Sequence, residues 1–231
     1  MLSRRFAKHR TQDFKLDSLH FCIAIVPLSV YLFLIGGINL SPRPFVTTGA
    51  RDLAALAIAI SGFMIVGPME LFLPELIASI VGGWVWLPML TLYMLVVTLV
   101  VLLMRPRIVI YNISAEQLRP ILKQVVFDCD DSARWAGDCV VIPGLGVQLA
   151  LESSPGVRNL SLTSVGADQN LEGWNKLKLR LASELANNKQ APNAQGMSFL
   201  FLSAVMIAAV TYSLLTGRQE IAQAVRDMLR M

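Results

Sequence analysis

The chain has 231 residues, of which 55% are hydrophobic and 16% charged, with a mean hydropathy of +0.57 and a net charge of +4. Soluble globular domains carry about a quarter charged residues, so the composition excludes an ordinary soluble protein and predicts a polytopic helical membrane protein. The charge excess is no nucleic-acid footprint, because Arg4, Arg5, Lys8, Arg10 and Lys15 crowd the N-terminal tail while the segment from Arg107 to Met197 is balanced. A basic tail beside an apolar run is a signal for topology and for lipid headgroups, which makes the bilayer the first expected partner.

Residues 1–19 intersperse Leu2, Phe6, Phe14, Leu16 and Leu19 among those cations, a pattern suited to a segment lying on anionic headgroups. Four runs follow without Asp, Glu, Lys, Arg or His: Phe21 to Pro42, Leu53 to Met69, Leu76 to Met104 and Met197 to Thr216. The first is longer than the core of a signal peptide and is followed by no small-x-small cleavage pattern, so a retained signal anchor is expected. The second carries Ala55, Ala59, Ser61 and Gly62, small residues that let another helix approach. The third would be about 43 Å long as one helix, against roughly 30 Å of hydrocarbon. Pro74, Glu75 and Gly82-Gly83 divide it, which predicts a short interfacial helix over 74–81, Trp84 and Trp86 at headgroup level, and a span from about Trp84 to Met104. Residues 20–105 thus hold three transmembrane helices.

After Arg105-Pro106-Arg107 the periodicity changes. Ile108 to Ile113 is rich in β-formers, and Ser114 with Gln117 makes a capping box for a helix reaching about Phe127, with a bend expected at Pro120. Cys139 to Ile142 and Val147 to Glu152 form a hairpin across Pro143-Gly144-Leu145-Gly146, and Arg158 to Val165 alternates as a further strand. From Asn170, Trp174, Leu177, Leu181 and Leu185 mark one helical face. The order β-α-β-β-β-α predicts a small two-layer α+β domain over 106–190, with helices on one face of a mixed or antiparallel sheet. A polar linker, 191–196, leads to the fourth span over 197–216 and then to an amphipathic helix over 217–231, bearing Ile221, Val225, Met228 and Leu229. By the positive-inside rule both termini of this inner-membrane architecture face the cytoplasm and the domain lies opposite; a re-entrant second run would put the domain on the cytoplasmic side.

The chemistry is sparse. The two histidines, His9 and His20, lie outside the domain, so no histidine-activated nucleophile or histidine-ligated zinc is expected there. Asp128-Cys129-Asp130-Asp131 with Asp138 is the densest acidic group, but Ala133 and Cys139 stand where a calcium loop needs Gly and Glu, so it reads as a solvated loop. Cys129 and Cys139 could close a short disulfide in an oxidising compartment, or be two small buried hydrophobes. Glu70 and Glu75 border the membrane, where a carboxylate is a candidate for ion or proton handling. Asn112-Ile113-Ser114 and Asn159-Leu160-Ser161 match the glycosylation acceptor, a pattern common by chance. No catalytic residue, metal ligand or cofactor is assigned. The sequence favours a non-enzymatic, membrane-anchored interaction or assembly protein with a protein partner or a homo-oligomeric state, presenting its polar sheet face or an edge strand. The alternatives are a small transporter or channel subunit using Glu70 or Glu75, and a membrane enzyme acting on lipid or cell-wall precursors.

Overall fold

The computed structural model describes residues 18–69, 86–153, 158–188 and 193–216. The expected interfacial segments at 1–19, 74–81 and 217–231, together with Glu70, Glu75 and Trp84, lie wholly or almost wholly outside the described residues. Within them the chain is mostly helical, with six α-helices and one antiparallel six-stranded sheet.

Helix α1 spans Ser18–Leu40 and leads through a short turn into strand β1, Phe45–Thr48. Pro42 and Pro44 lie in this connection, where neither can donate a helical hydrogen bond. Helix α2, Gly49–Met64, starts at once, its N-cap Thr48 accepting from the Arg51 amide. It widens into a π-turn over Ile65–Met69, where Pro68 has no N–H to continue the α ladder. Helix α3 covers Trp86–Leu103. The domain then runs β2 (Arg107–Tyr111), α4 (Ala115–Cys129), β3 (Arg134–Ala136), β4 (Cys139–Ile142), β5 (Val147–Ser153), β6 (Asn159–Ser164) and α5 (Leu171–Asn187). Helix α6, Gln195–Thr216, returns along α1 and begins two residues before the expected fourth span.

Among the described residues, three helical stretches are long and apolar enough to cross a membrane: His20–Leu40, Gly49–Gly67 and Gln195–Thr216. Leu87–Leu103, within α3, is a shorter apolar helix. Small residues set the packing. A Cβ on Gly62 would lie 2.1 Å from the Ile23 carbonyl oxygen, and one on Gly36 would lie 2.8 Å from Leu200 Cγ, so α2 and α6 both approach the α1 backbone closely. Buried Ser203 donates to the Ser29 carbonyl at 2.8 Å, and Tyr93 of α3 donates to the Ala57 carbonyl of α2 at 2.6 Å.

The strand order is β1-β2-β6-β5-β4-β3, with every neighbour antiparallel. One sheet face, bearing Ile108, Ile110, Val140, Ile142, Val147, Leu149, Leu151, Leu160 and Leu162, is covered by α4 and α5. Helix α4 contributes Leu118, Leu122, Val125 and Val126 to this core, and α5 contributes Trp174, Leu177, Leu181 and Leu185. The capping box at Ser114 and Gln117 is present, and Pro120 lies inside α4.

The sheet differs from the sequence expectation in two strands. Arg134–Ala136 is short and was hidden in the acidic loop. Strand β1 belongs to the connection between α1 and α2, and pairs Phe45 with Tyr111 and Thr48 with Ile108. A four-residue strand with no alternation of its own becomes visible only when β2 is placed beside it. The sheet therefore extends beyond the 106–190 segment, and the loop between α1 and α2 completes it.

Candidate functional site

Two places gather exposed or unpartnered chemistry: the junction between helices and sheet, and the far end of the domain.

At the junction the second face of the sheet turns towards the start of α2. Alternation along β2 points Arg107, Val109 and Tyr111 to this side, and along β6 it points Asn159, Ser161 and Thr163 there, since Arg107 pairs with Thr163 and Tyr111 with Asn159. Asp52, in the first turn of α2, receives the Tyr111 hydroxyl and lies 3.8 Å from the Arg107 guanidinium. Burial, reinforced by the hydrogen bond to Asp52, pushes the Tyr111 phenol well above the ordinary tyrosine range. Phe45 packs on Tyr111 with ring centroids 6.4 Å apart. Arg107 lies over Gly49, where a Cβ would come within 2.3 Å of its side chain, so that helix start needs glycine.

Asn112 follows in the left-handed region, φ 62°, a conformation asparagine tolerates better than most residues. It is fully buried and its amide donates to the Ser41 carbonyl at 2.6 Å. Asn193 binds the other side of the base, its N–H donating to the Asn39 carbonyl at 3.1 Å. Both glycosylation matches are thereby explained as structural residues: Asn112 is enclosed, and Asn159 is a strand residue half-buried in the junction.

Two adjoining cavities remain there. One of about 520 Å³ lies between α1, α6 and the sheet, lined by Tyr31, Leu32, Ile35, Asn39, Tyr111, Asn159, Gln195, Ser198 and Phe199. The other, about 300 Å³, is lined by Asp52, Arg107, Val109, Tyr111, Glu152, Asn159, Leu160 and Ser161. Tyr111 and Asn159 belong to both. Asn159 Oδ1 and Arg107 Nε are buried without a hydrogen-bond partner.

At the far end, edge strand β3 and helix α4 border a groove of about 470 Å³ lined by Arg119, Pro120, Lys123, Phe127, Ala133 and Trp135. Phe127 is exposed, and Trp135 Nε1 is buried without a partner. The acidic loop serves this end structurally. Asp130 accepts from the Ser132 hydroxyl and amide and from the Gly144 amide, fastening the β4–β5 turn, and those bonds hold its carboxyl below the usual carboxylate range. Asp138 pairs with Arg119. Among the described residues no group of His, Cys, Asp and Glu could hold a metal ion.

Cys129 is half-buried at the end of α4 and Cys139 is exposed at the start of β4, both as free thiols. Helix α4 packs Cys129 against the core while β4 leaves Cys139 in solvent. Asp52, Arg107 and Tyr111 were not singled out by sequence. The available signal was the placement of one acid and one base at span ends, next to runs otherwise free of charge.

No protein-family model matches the chain, and no curated protein or solved structure matches it.

Proposed function

We propose that this is a membrane-anchored interaction or assembly protein, non-enzymatic, whose α+β domain stands on its helices and presents the β3 edge and the adjoining α4 groove to a protein partner. The observation that carries the reading is the asymmetry of the sheet. At the β1 end, the ladder to β2 and the contacts of Tyr111, Asn112 and Arg107 tie the domain to the base. At the β3 end, a three-residue edge lies beside exposed Phe127 and the unpartnered Trp135 indole N–H. An added extended segment gains main-chain hydrogen bonds at such an edge, and the groove supplies its side-chain pocket. Lys123 and Arg134, both exposed there, favour a segment carrying acidic residues.

The residues engaged at the junction support a holding role over a catalytic one, because Asp52 is occupied by Arg107 and Tyr111. Helix directions, with the α1–α2 loop and the domain at the same end, together with the basic tail, support cytoplasmic termini and a domain across the inner membrane, on a four-span layout counting α3.

A photo-crosslinking residue at Lys123 in native membranes should give a discrete protein adduct that is lost with Trp135→Ala, whereas the same probe at exposed Asn175 of α5 should give none. Identical patterns at the two positions would refute the docking face. A membrane-impermeant maleimide should label Cys139 from outside spheroplasts; labelling only after lysis would reverse the orientation.

A further inference from the structure

We infer that the junction cavities form a binding site for one lipid with a phosphoethanolamine headgroup, its acyl chain lying in the groove beside the α1–α6 contact. The inference rests on the membrane-anchored reading only in placing α1 and α6 in lipid.

The cleft changes character along its length. Between the helices its wall is Leu32, Ile35 and Phe199, which suits an acyl chain. Towards the sheet it becomes polar, passing Asn159 to reach Arg107, Asp52 and Glu152. Tyr111 and Asn159 join the two parts, so one molecule with an apolar end and a polar end spans both.

The polar wall selects the headgroup. Two carboxylates face one guanidinium, and Asp52 is already held by Arg107 and Tyr111, which leaves Glu152 as the excess negative charge. Glu152 accepts from Thr163 at 3.1 Å and keeps further acceptor capacity. Asn159 lines the same cleft, and its Oδ1 is buried without a donor. An ammonium offers three donors to these two groups. The same headgroup carries a phosphate, for which the wall supplies the Arg107 guanidinium and the first turn of α6, where Gln195 and Ser198 border the cleft at the positive end of the helix dipole. A choline headgroup has no N–H to donate, and a glycerol headgroup has no cation for Glu152. The site therefore selects a headgroup cation that also carries hydrogen-bond donors.

The test uses the full chain, purified in mild detergent and offered dioleoyl-phosphatidylethanolamine, -phosphatidylcholine or -phosphatidylglycerol, with retained lipid measured by native mass spectrometry. Phosphatidylethanolamine should be retained about tenfold better than either other lipid. Glu152→Gln, at an exposed position, and Asn159→Ala should each reduce that preference about tenfold. Equal retention of all three lipids, a preference unchanged in both variants, or binding of soluble glycerophosphoethanolamine as tight as that of the lipid would each overturn the inference. Sedimentation with membranes after carbonate extraction reports the anchoring independently, so loss of lipid selectivity in a protein that stays in the pellet refutes the site and leaves the anchored reading standing.

Discussion

Replacing Tyr111 by Phe removes one hydroxyl and leaves the ring against Phe45, so it isolates the hydrogen bond to Asp52 that fastens the sheet to α2. A hydrogen bond to a charged acceptor contributes about 1.5–3 kcal/mol, and Tyr111 is 7% exposed, so water cannot readily replace the lost donor. Arg107 stays 3.8 Å from Asp52 and keeps that carboxylate from being left alone, which places the expected loss at the lower end, about 1.5–2 kcal/mol. Urea unfolding of the detergent-solubilised chain, with Trp84 and Trp86 replaced by Phe, lets Trp135 and Trp174 report on the domain. Asp52→Asn and the double variant complete a cycle whose coupling should be about 1 kcal/mol or more. The pH dependence supplies a second arm. The folded phenol has a raised pKa, so its contribution is intact below the unfolded tyrosine value of about 10 and declines above it, by up to about 1.4 kcal/mol per pH unit. Tyr111→Phe should remove that alkaline component. A cycle with no coupling, together with an alkaline decline undiminished in the variant, would refute the clamp.

The core offers a larger effect: Leu181, fully buried in α5, should cost about 2–5 kcal/mol on truncation to Ala, against less than about 0.5 kcal/mol for Lys178→Ala, both read by the same urea titration. Gly62→Leu should separate α2 from α1, because even a Cβ there would meet the Ile23 carbonyl oxygen at 2.1 Å; cysteine pairs across α1 and α2 that crosslink in the parent chain should then fail to do so. Asp130 has a depressed pKa, so its stabilising bonds are intact above the unfolded carboxylate value of about 4 and disappear as pH falls through the lower folded value. Protection of the Gly144 amide, its exchange rate divided into the intrinsic rate at the same pH, should fall on acidification through that range, and Asp130→Ala should abolish it already at neutral pH.

The predicted helical face of α5 is the clearest case of a pattern that dictated its own burial: Trp174, Leu177, Leu181 and Leu185 are all in the core. Apolar side chains spaced at three and four residues can leave water only by turning one stripe inward, and the strands bearing Leu149, Leu151, Leu160 and Leu162 supply the matching face. The capping box at Ser114, the hairpin across Pro143–Gly146 and the apolar helices were legible for the same reason, since each depends on residues close together in the chain. Strand β1 was not, because Phe45–Thr48 becomes a strand by hydrogen bonding to Tyr111–Ile108, about sixty positions away. The junction is the strongest example. Asp52, Arg107, Tyr111 and Asn159 are unremarkable in isolation, and their meeting depends on the antiparallel return of the chain and on the register of β2 with both neighbours. Local periodicity determined which segments are helices, strands and core; long-range pairing alone decided which charges meet, because that is a property of register and crossing geometry that no short window of sequence contains.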